Sequence, residues 1–291
     1  MPDKGFLLID KPAGITSFDV IRRLRKLTGI RRIGHCGTLD PFATGLLICA
    51  LGSYTRMISY LEALDKSYEA TVLLGKSTTT GDTEGEVNEV KAFDPAGIDP
   101  VRLRDAAMAL TKLPIPIYSA VKIDGKRAYA MARAGEKVVL DARPCVIRDF
   151  KVTVLPEPDD PEPKLCYLCT VSKGTYIRSL SEWIAGQLDT VGHTLALRRL
   201  VIGSAGLSEA ESLEALTPDN WGDHLIPPRR LFSHLEIRRV NGEDIATMAR
   251  GQSIDDDGAD NPAVLIETSD LDLAGLAERK DGRLNPRINL T

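Results

Sequence analysis

Apolar residues recur along the chain with two different spacings, which predict a mixture of strands and helices. Partial period-two alternation of β-branched and aromatic residues predicts strands. These strands lie near residues 5–9, 67–74, 120–123, 146–155 and 164–171. Helical spacing, with start signals such as Asp99-Pro100, predicts helices between them. These helices lie near residues 17–28, 55–64, 101–110, 128–134, 174–188 and 208–216.

The order of these elements predicts the fold class. Strands and helices do not alternate regularly, so we expect an α+β core with a mixed, largely antiparallel sheet flanked by helices. The proline-rich, acidic segment 156–163 predicts an exposed hairpin loop. The run Pro227-Pro228-Arg229-Arg230 predicts a hinge between a body, residues 1–230, and a small strand-rich module, residues 231–291.

Composition narrows the class of protein without identifying a function. The chain has 291 residues, of which 43% are hydrophobic and 27% are charged, as in ordinary globular proteins. No run of 18 apolar residues predicts a membrane span, and the N-terminus does not resemble a signal peptide. We therefore expect a cytoplasmic protein. The odd number of cysteines, five, favours reduced thiols over a disulfide framework.

Charge is distributed unevenly along the chain. The net charge is −4, but residues 231–291 alone carry 7 basic and 12 acidic side chains. No acidic residue occurs between residues 20 and 39, where six cations lie: Arg22, Arg23, Arg25, Lys26, Arg31 and Arg32. A helix that starts at Ser17 as N-cap places the first four cations opposite its apolar stripe. That face is either simply solvated or contacts a polyanion.

Residues 34–45, Gly-His-Cys-Gly-Thr-Leu-Asp-Pro-Phe-Ala-Thr-Gly, set one carboxylate in a constrained segment. The glycines allow unusual backbone geometry, and Pro41 restricts Asp40 to extended conformations. Asp40 is therefore a candidate reactive group, although an isolated Asp-Pro pair is usually only a turn. Elsewhere, no glycine-rich phosphate loop occurs. Cys166 and Cys169 lie within a predicted strand, where residues three positions apart face opposite sides and do not form a metal site together. We expect neither a cofactor nor a metal.

Five segments together resemble the TruB-type tRNA pseudouridine synthases. They are Leu8-Ile-Asp-Lys-Pro-Ala-Gly14, the segment 34–47, Asp65-Lys-Ser-Tyr-Glu-Ala70, Tyr118-Ser-Ala-Val-Lys-Ile-Asp-Gly-Lys126 and Lys173-Gly-Thr-Tyr-Ile-Arg-Ser179. The resemblance covers residues 5–200 and weakens beyond about residue 235, where only a PUA-like module is suggested. It implies isomerisation of uridine to pseudouridine at position 55 in the T-arm loop of tRNA, without a cofactor.

The resemblance also implies roles for individual residues. Asp40 is the implied nucleophile, Arg178 its ion-pair partner, and Tyr68 the side chain that stacks on the base and accepts a proton. His35 is implied to accompany base flipping. From the residues alone, the pattern favours an ordinary inward-facing core tyrosine at position 68. Arg178 lies off the apolar stripe of its predicted helix, and the residues alone favour a surface arginine there.

We expect the six cations above to contact RNA, together with Lys11, Tyr176, Arg198 and Arg199. We expect a monomer that acts on tRNA without a protein partner. Two other functions remain open. One is a non-catalytic protein that binds or folds tRNA. The other is the subunit of a guide-RNA-dependent synthase, although such subunits usually carry a larger RNA-binding C-terminal domain and basic tails.

Overall fold

The computed structural model describes residues 2–95, 98–119, 121–123, 125–134, 136, 140–155, 162–270 and 272–290. The α-helices of this part, α1–α7, are Ser17–Thr28, Ile58–Glu62, Pro100–Met108, Ala128–Arg133, Ile177–Gln187, Pro228–Leu231 and Gly242–Ala249. Strands β1–β10 are Gly5–Lys11, Ile33–His35, Thr44–Leu51, Lys66–Leu74, Lys76–Thr78, Val87–Val90, Lys112–Leu113, Lys122–Ile123, Lys126–Arg127 and Arg143–Pro144. Strands β11–β20 are Ile147–Val154, Lys164–Val171, Gly192–Ile202, Ala205–Gly206, Glu211–Ser212, Glu236–Arg239, Ile254–Asp255, Asn261–Glu267, Leu273–Lys280 and Arg283–Asn289.

One large sheet organises the body, and it confirms the predicted α+β class. Its strands run in the order β11-β12-β4-β13-β3-β1-β15, with β2 added to β3 and β14 to β13. Most neighbours are antiparallel, while β13 pairs with β3 and β1 with β15 in parallel. Helix α5 packs on β13 and β4. The central strands β3, β4 and β13 therefore bring distant parts of the chain to one region.

Helix α1 forms as predicted over Ser17–Thr28, but its N-cap is Thr16 and not Ser17. The Thr16 hydroxyl accepts a hydrogen bond from the Asp19 amide at 3.0 Å, and the Asp19 carboxylate accepts one from the Thr16 amide at 2.9 Å. This capping box satisfies amides that no helical carbonyl reaches. The Ser17 side chain is consequently free to bond elsewhere, to the backbone of Leu39.

Two central strands of the sheet, β3 and β13, were absent from the prediction. Strand β3 is an almost unbroken apolar run, Thr-Gly-Leu-Leu-Ile-Cys-Ala-Leu, and all its residues except Thr44 are buried. A strand covered on both faces loses the alternation by which strands are predicted. Strand β13 contains Leu, Ala and Arg residues, which favour helices in isolation. Tertiary packing overrides that preference.

The predicted helix over 208–216 is wrong. The chain forms a short 3-10 turn, Leu207–Glu209, followed by strand β15. The Glu209 side chain accepts the Gly206 amide at 3.0 Å, and Glu211 pairs with Ile9 of β1. Pairing with a sheet edge satisfies the backbone there in place of helical hydrogen bonds.

Other helices begin or divide at residues different from those predicted, and two predictions fall partly outside the described residues. The helix predicted over 174–188 begins at Ile177, because Gly174 is left-handed with φ +82° and Tyr176 is extended. The helix predicted over 55–64 divides into a 3-10 segment, Gly52–Met57, and α2. Asp99 caps α3 as expected. Most of the predicted 156–163 loop, and residue 120 of a predicted strand, lie outside the described residues. No described helix has the length and apolar character needed to cross a membrane.

The C-terminal residues form a second, five-stranded sheet in the order β16-β18-β19-β20-β17. Its inner residues share an apolar cluster with the body, in which Phe6 and Leu46 lie with Leu265 and Leu276. Helix α6 crosses the predicted division at residues 230 and 231. The division into residues 1–230 and 231–291 therefore stays a prediction.

Candidate active site

Asp40 lies in the connection between β2 and β3, residues 36–43, referred to below as the Asp40 loop. The two strands pair in antiparallel fashion, with His35 opposite Cys49. Within the loop, the Ala43 amide donates to the Asp40 carbonyl at 3.1 Å. Gly37 has φ +88°, which side-chain-bearing residues rarely adopt. The loop therefore has a defined backbone shape around its carboxylate.

Residues from the start of the chain hold this loop. The Ser17 hydroxyl accepts from the Leu39 amide at 2.9 Å and lies 3.2 Å from the Leu39 carbonyl. The Pro41 carbonyl accepts from the Gly14 amide at 2.8 Å and from the Lys11 ammonium at 3.3 Å. Both neighbours of Asp40 are thus fixed by bonds to β1 and α1.

A buried arginine of β13 holds the other side of the loop. Arg199 donates from Nε to the Leu46 carbonyl at 2.7 Å and from Nη2 to the Gly37 carbonyl at 3.1 Å. At Gly45, with φ +101°, a Cβ atom would lie 2.3 Å from the Arg199 carbonyl oxygen. Only glycine fits this close approach, which accounts for the last glycine of the motif.

The structure brings Arg178 to Asp40, although 138 positions separate them. Arg178 Nε lies 2.9 Å from Asp40 Oδ2, and Nη2 donates to Oδ1 at 3.3 Å. Both carboxylate oxygens therefore face one side of the guanidinium. Arg178 is only 4% exposed, whereas the Asp40 side chain is 34% exposed. The interpretation of Arg178 as a surface arginine is wrong, and the accessible partner is the carboxylate.

The rest of the Arg178 guanidinium is also occupied. Nη1 donates to the Thr80 carbonyl at 2.8 Å, and Nη2 donates to the Tyr118 carbonyl at 2.9 Å. Nη1 also lies 3.4 Å from Oδ2 of Asp82, a carboxylate that is 4% exposed. Asp82 was not among the residues predicted from the sequence. Its only sequence signal is a carboxylate next to a glycine in the run Thr80-Gly81-Asp82, where Gly81 has φ +72° in the structure.

Tyr68 lies on β4 and faces inward, as its even-numbered position predicts. Its neighbours across the sheet are Arg199 on β13 and Cys169 on β12. The side chain is 7% exposed and belongs to the same apolar cluster as Leu39 and Ala43 of the Asp40 loop. Burial raises the pKa of the Tyr68 hydroxyl, and the Arg199 guanidinium opposes that shift. The free protein therefore holds a neutral phenol beside the loop.

His35 ends β2 at the base of the Asp40 loop and is half-buried. Burial and the nearby Arg199 cation lower the pKa of its imidazole. The ring is consequently neutral at neutral pH. Its role in base flipping stays a prediction.

Residues 25–177 match the model of the TruB family pseudouridylate synthase N-terminal domain. The chain belongs to the TruB family. Its match ends one residue before Arg178 and includes Asp40, Tyr68 and Asp82.

Individual relatives extend the similarity of this TruB chain over nearly its whole length. It is 39% identical over 293 residues to tRNA pseudouridine synthase B of Thermobifida fusca, covering 98% of this chain and 97% of that protein. It is 41% identical over 271 residues to the protein of the same name from Leifsonia xyli, covering 90% and 87%. Among solved structures, an H/ACA ribonucleoprotein bound to a substrate RNA containing 2′-deoxyuridine contains a chain of the same fold. That match has a TM-score of 0.69 at 19% identity and covers 99% of this chain and 85% of the other.

Most of the cations expected to contact RNA in this TruB protein are accessible. Arg22, Arg23, Arg25, Lys26, Arg31 and Arg32 are all exposed on or just after α1. Some have local partners: Arg22 pairs with Asp19, and Arg23 lies 3.6 Å from Glu214. Side chains that reach solvent in this way can still exchange such partners for phosphate groups.

Two of the expected contacts are contradicted by burial. Lys11 is fully buried and donates to the Ile15 carbonyl at 2.7 Å, while Arg199 is 1% exposed. Neither side chain can reach an RNA backbone, and both instead position the Asp40 loop. Adjacent Arg198 is 38% exposed and pairs with Asp10 at 2.7 Å. Tyr176, the half-buried N-cap of α5, lies two residues before Arg178.

Proposed function

We propose that this TruB protein isomerises uridine to pseudouridine at position 55 in the T-arm loop of tRNA, with Asp40 as the nucleophile. The observation that carries the proposal is an accessible carboxylate whose two oxygens face a buried guanidinium, which is itself held by two backbone carbonyls. The names of the relatives, tRNA pseudouridine synthase B, support tRNA as the substrate.

The reaction is an isomerisation, so it needs no oxidant, reductant or second substrate. An ionised carboxylate adds to uracil C6 or to ribose C1′, and the bond between N1 and C1′ breaks. The base turns, a bond forms between C5 and C1′, and the C5 proton leaves to a base or to water. In the C6 route the carboxylate is eliminated after the C5–C1′ bond has formed, whereas in the C1′ route C5 displaces it from C1′ as that bond forms. Both routes restore Asp40, and N1, released from the ribose, takes up a proton from water. Both routes begin with the same accessible, ionised Asp40.

The neighbouring side chains act on this nucleophile and on the base. Arg178 fixes the direction of the Asp40 oxygens and compensates their charge. Tyr68 supplies a ring against which the turned-out uracil stacks, and His35 supports the vacated position in the RNA loop. The exposed cations of α1 contact phosphates and give affinity without reading sequence.

We further propose that the protein works alone, as a cytoplasmic monomer without guide RNA. The chain matches nearly the full length of a tRNA pseudouridine synthase B, and its C-terminal residues are acidic rather than basic. Guide-RNA-dependent subunits usually carry a larger RNA-binding C-terminal domain and basic tails. The ribonucleoprotein likeness is a likeness of fold.

The proposal is tested by incubating the purified chain with an unmodified tRNA transcript and no other macromolecule. We expect one pseudouridine, and none in a transcript in which uridine 55 is replaced by cytidine. Activity that appears only after a guide RNA or cell extract is added contradicts the stand-alone function. Product at another uridine contradicts the position.

The electrostatics of Asp40 predict an acid limb in the pH–rate profile. Burial and Asp82 raise the pKa of the Asp40 carboxyl, while Arg178 and Lys11 oppose the rise. Because the ionised form reacts, activity is gained as pH rises through this raised pKa. We expect kcat/KM to fall on the acid side at a pH above the ordinary aspartate range, and Asp82→Asn to shift the limb to lower pH. The measurement is kcat/KM against pH for both proteins. A limb that is unmoved by Asp82→Asn contradicts the assignment.

Tyr68→Phe separates stacking from proton transfer. The variant keeps the ring but removes the hydroxyl, so RNA binding is expected to persist. With the Tyr68 hydroxyl as the acceptor of the C5 proton, we expect the single-turnover rate to fall by about 10²- to 10⁴-fold, the usual contribution of a positioned acid or base. Full single-turnover activity in Tyr68→Phe excludes the hydroxyl from proton transfer and leaves only the stacking role.

A further inference from the structure

We propose that Phe18 and Arg25 form a stacking platform for an unpaired base of the RNA substrate, beside the target uridine. The inference rests on the proposed function, since it assigns an additional contact to the same RNA. It identifies Phe18 as a binding residue that the family resemblance did not single out.

Phe18 is placed on the wrong side of its helix for a core residue. Val20, Ile21 and Leu24 of α1 are buried, whereas Phe18 is 56% exposed. Among the described residues, it is the only aromatic among the exposed large hydrophobic side chains. Helical geometry places Arg22 and Arg25, four and seven positions later, on the same outward face. Phe18 thus presents an aromatic ring to solvent beside Arg25 and Arg22, of which Arg22 also pairs with Asp19.

The ring and its cation are held in place before any RNA arrives. The Arg25 guanidinium carbon lies 5.7 Å from the centre of the Phe18 ring, within the range of a cation–π contact. Arg25 Nη2 also donates to the Ile33 carbonyl of β2 at 3.3 Å. The capping box of Thr16 and Asp19 fixes the first turn that carries Phe18. Binding therefore orders few additional side chains.

The platform is next to the catalytic loop. Ser17, which immediately precedes Phe18, hydrogen-bonds both the amide and the carbonyl of Leu39, the residue before Asp40. Arg25 is linked to β2, the strand that enters the same loop. Phe18 therefore follows directly a residue that holds the Asp40 loop, and this adjacency is the basis for placing nucleotides next to the target uridine on Phe18.

An unpaired nucleotide fits this surface better than a protein or lipid partner. The outward face of α1 combines one ring with the cations Arg22, Arg25 and Lys26, and it lacks the contiguous apolar area on which a protein interface is centred. Stacking on an aromatic side chain and phosphate contact with nearby cations are the two features of single-strand recognition. The T-arm loop supplies unpaired bases.

The test uses Phe18→Ala, Phe18→Leu and Phe18→Trp, with Val101→Ala as matched control. Val101 is 63% exposed on α3 and lies apart from the basic face. Loss of one stacked base corresponds to a Kd about 5-fold or more weaker. We expect this loss for Phe18→Ala and for Phe18→Leu, which keeps apolar volume without a π face. Phe18→Trp should bind like wild type, and Val101→Ala should be unchanged.

A second readout does not depend on catalysis. The tryptophan of Phe18→Trp should lose fluorescence when unmodified tRNA binds, after subtraction of the wild-type signal from Trp183 and Trp221. A tryptophan introduced as Val101→Trp should not be quenched. Wild-type Kd for Phe18→Ala, wild-type Kd for Phe18→Leu, or unquenched Phe18→Trp overturns the platform. If wild type makes pseudouridine in the same assay, such a result removes the platform alone. If wild type makes none, the proposed function fails separately.

Discussion

Asp40→Asn is expected to abolish pseudouridine formation, with a loss of at least about 10⁴-fold in single-turnover rate, as for other essential catalytic groups. Asparagine has nearly the same shape as aspartate but neither its negative charge nor its nucleophilic oxygens. The Asp40 loop itself is held by backbone bonds to Gly14, Ser17 and Lys11, none of which involves the Asp40 side chain. The loop should therefore keep its shape in the variant.

The control for Asp40→Asn is RNA binding. We expect a Kd for unmodified tRNA close to that of wild type, because the α1 cations remain in place. Turnover within tenfold of wild type contradicts a nucleophilic role. If Asp40→Asn loses all pseudouridine formation but fully replaces the wild-type protein in cells, the biological role is binding or folding of tRNA, the non-catalytic alternative.

Arg178→Lys is expected to lose about 100-fold or more in rate although it keeps the positive charge. Displacing a catalytic group by about 1 Å can cost that much. The guanidinium contacts both oxygens of Asp40, the carboxylate of Asp82 and two backbone carbonyls from one planar group. A lysine ammonium is a compact charge and cannot reproduce this fork.

The matched control is Arg102→Lys, the same substitution at an exposed position of α3. It should leave rate and thermal stability unchanged, whereas Arg178→Lys should also lower Tm, because it removes the guanidinium donors of the Thr80 and Tyr118 carbonyls and weakens the ion pair with the buried Asp82 carboxylate. Near-normal turnover of Arg178→Lys contradicts the assigned function of the pair. If both variants lose activity, the loss does not come from the planar geometry of the Arg178 guanidinium.

The sequence indicated the Asp40 loop but not everything that holds it. Glycines and a proline around a single carboxylate are visible in one dimension. The contact of Asp40 with Arg178 joins distant segments and was expected only through the family resemblance. Asp82, on a third segment, is brought in by the turn after β5, and no local pattern connects it to either partner.

Burial of charge was the hardest feature to predict. Arg198 and Arg199 are consecutive, and consecutive strand residues face opposite sides of a sheet, so both cannot meet RNA. This reasoning requires that both arginines lie on one strand, β13. The sequence did not predict β13, because its residues favour helices. Lys11 likewise was expected to be a surface cation, but it is enclosed among the carbonyls of Pro12, Ile15 and Pro41. Burial lowers its pKa to about 8.

The most direct test is nucleotide-resolution mapping of pseudouridine in one unmodified tRNA transcript, after incubation with wild type and with Asp40→Asn side by side. No other macromolecule is present. The predicted result is a single new pseudouridine at position 55 with wild type and none with Asp40→Asn. Pseudouridine at that position with Asp40→Asn contradicts Asp40 as the nucleophile. Its absence with the wild-type protein contradicts the proposed reaction.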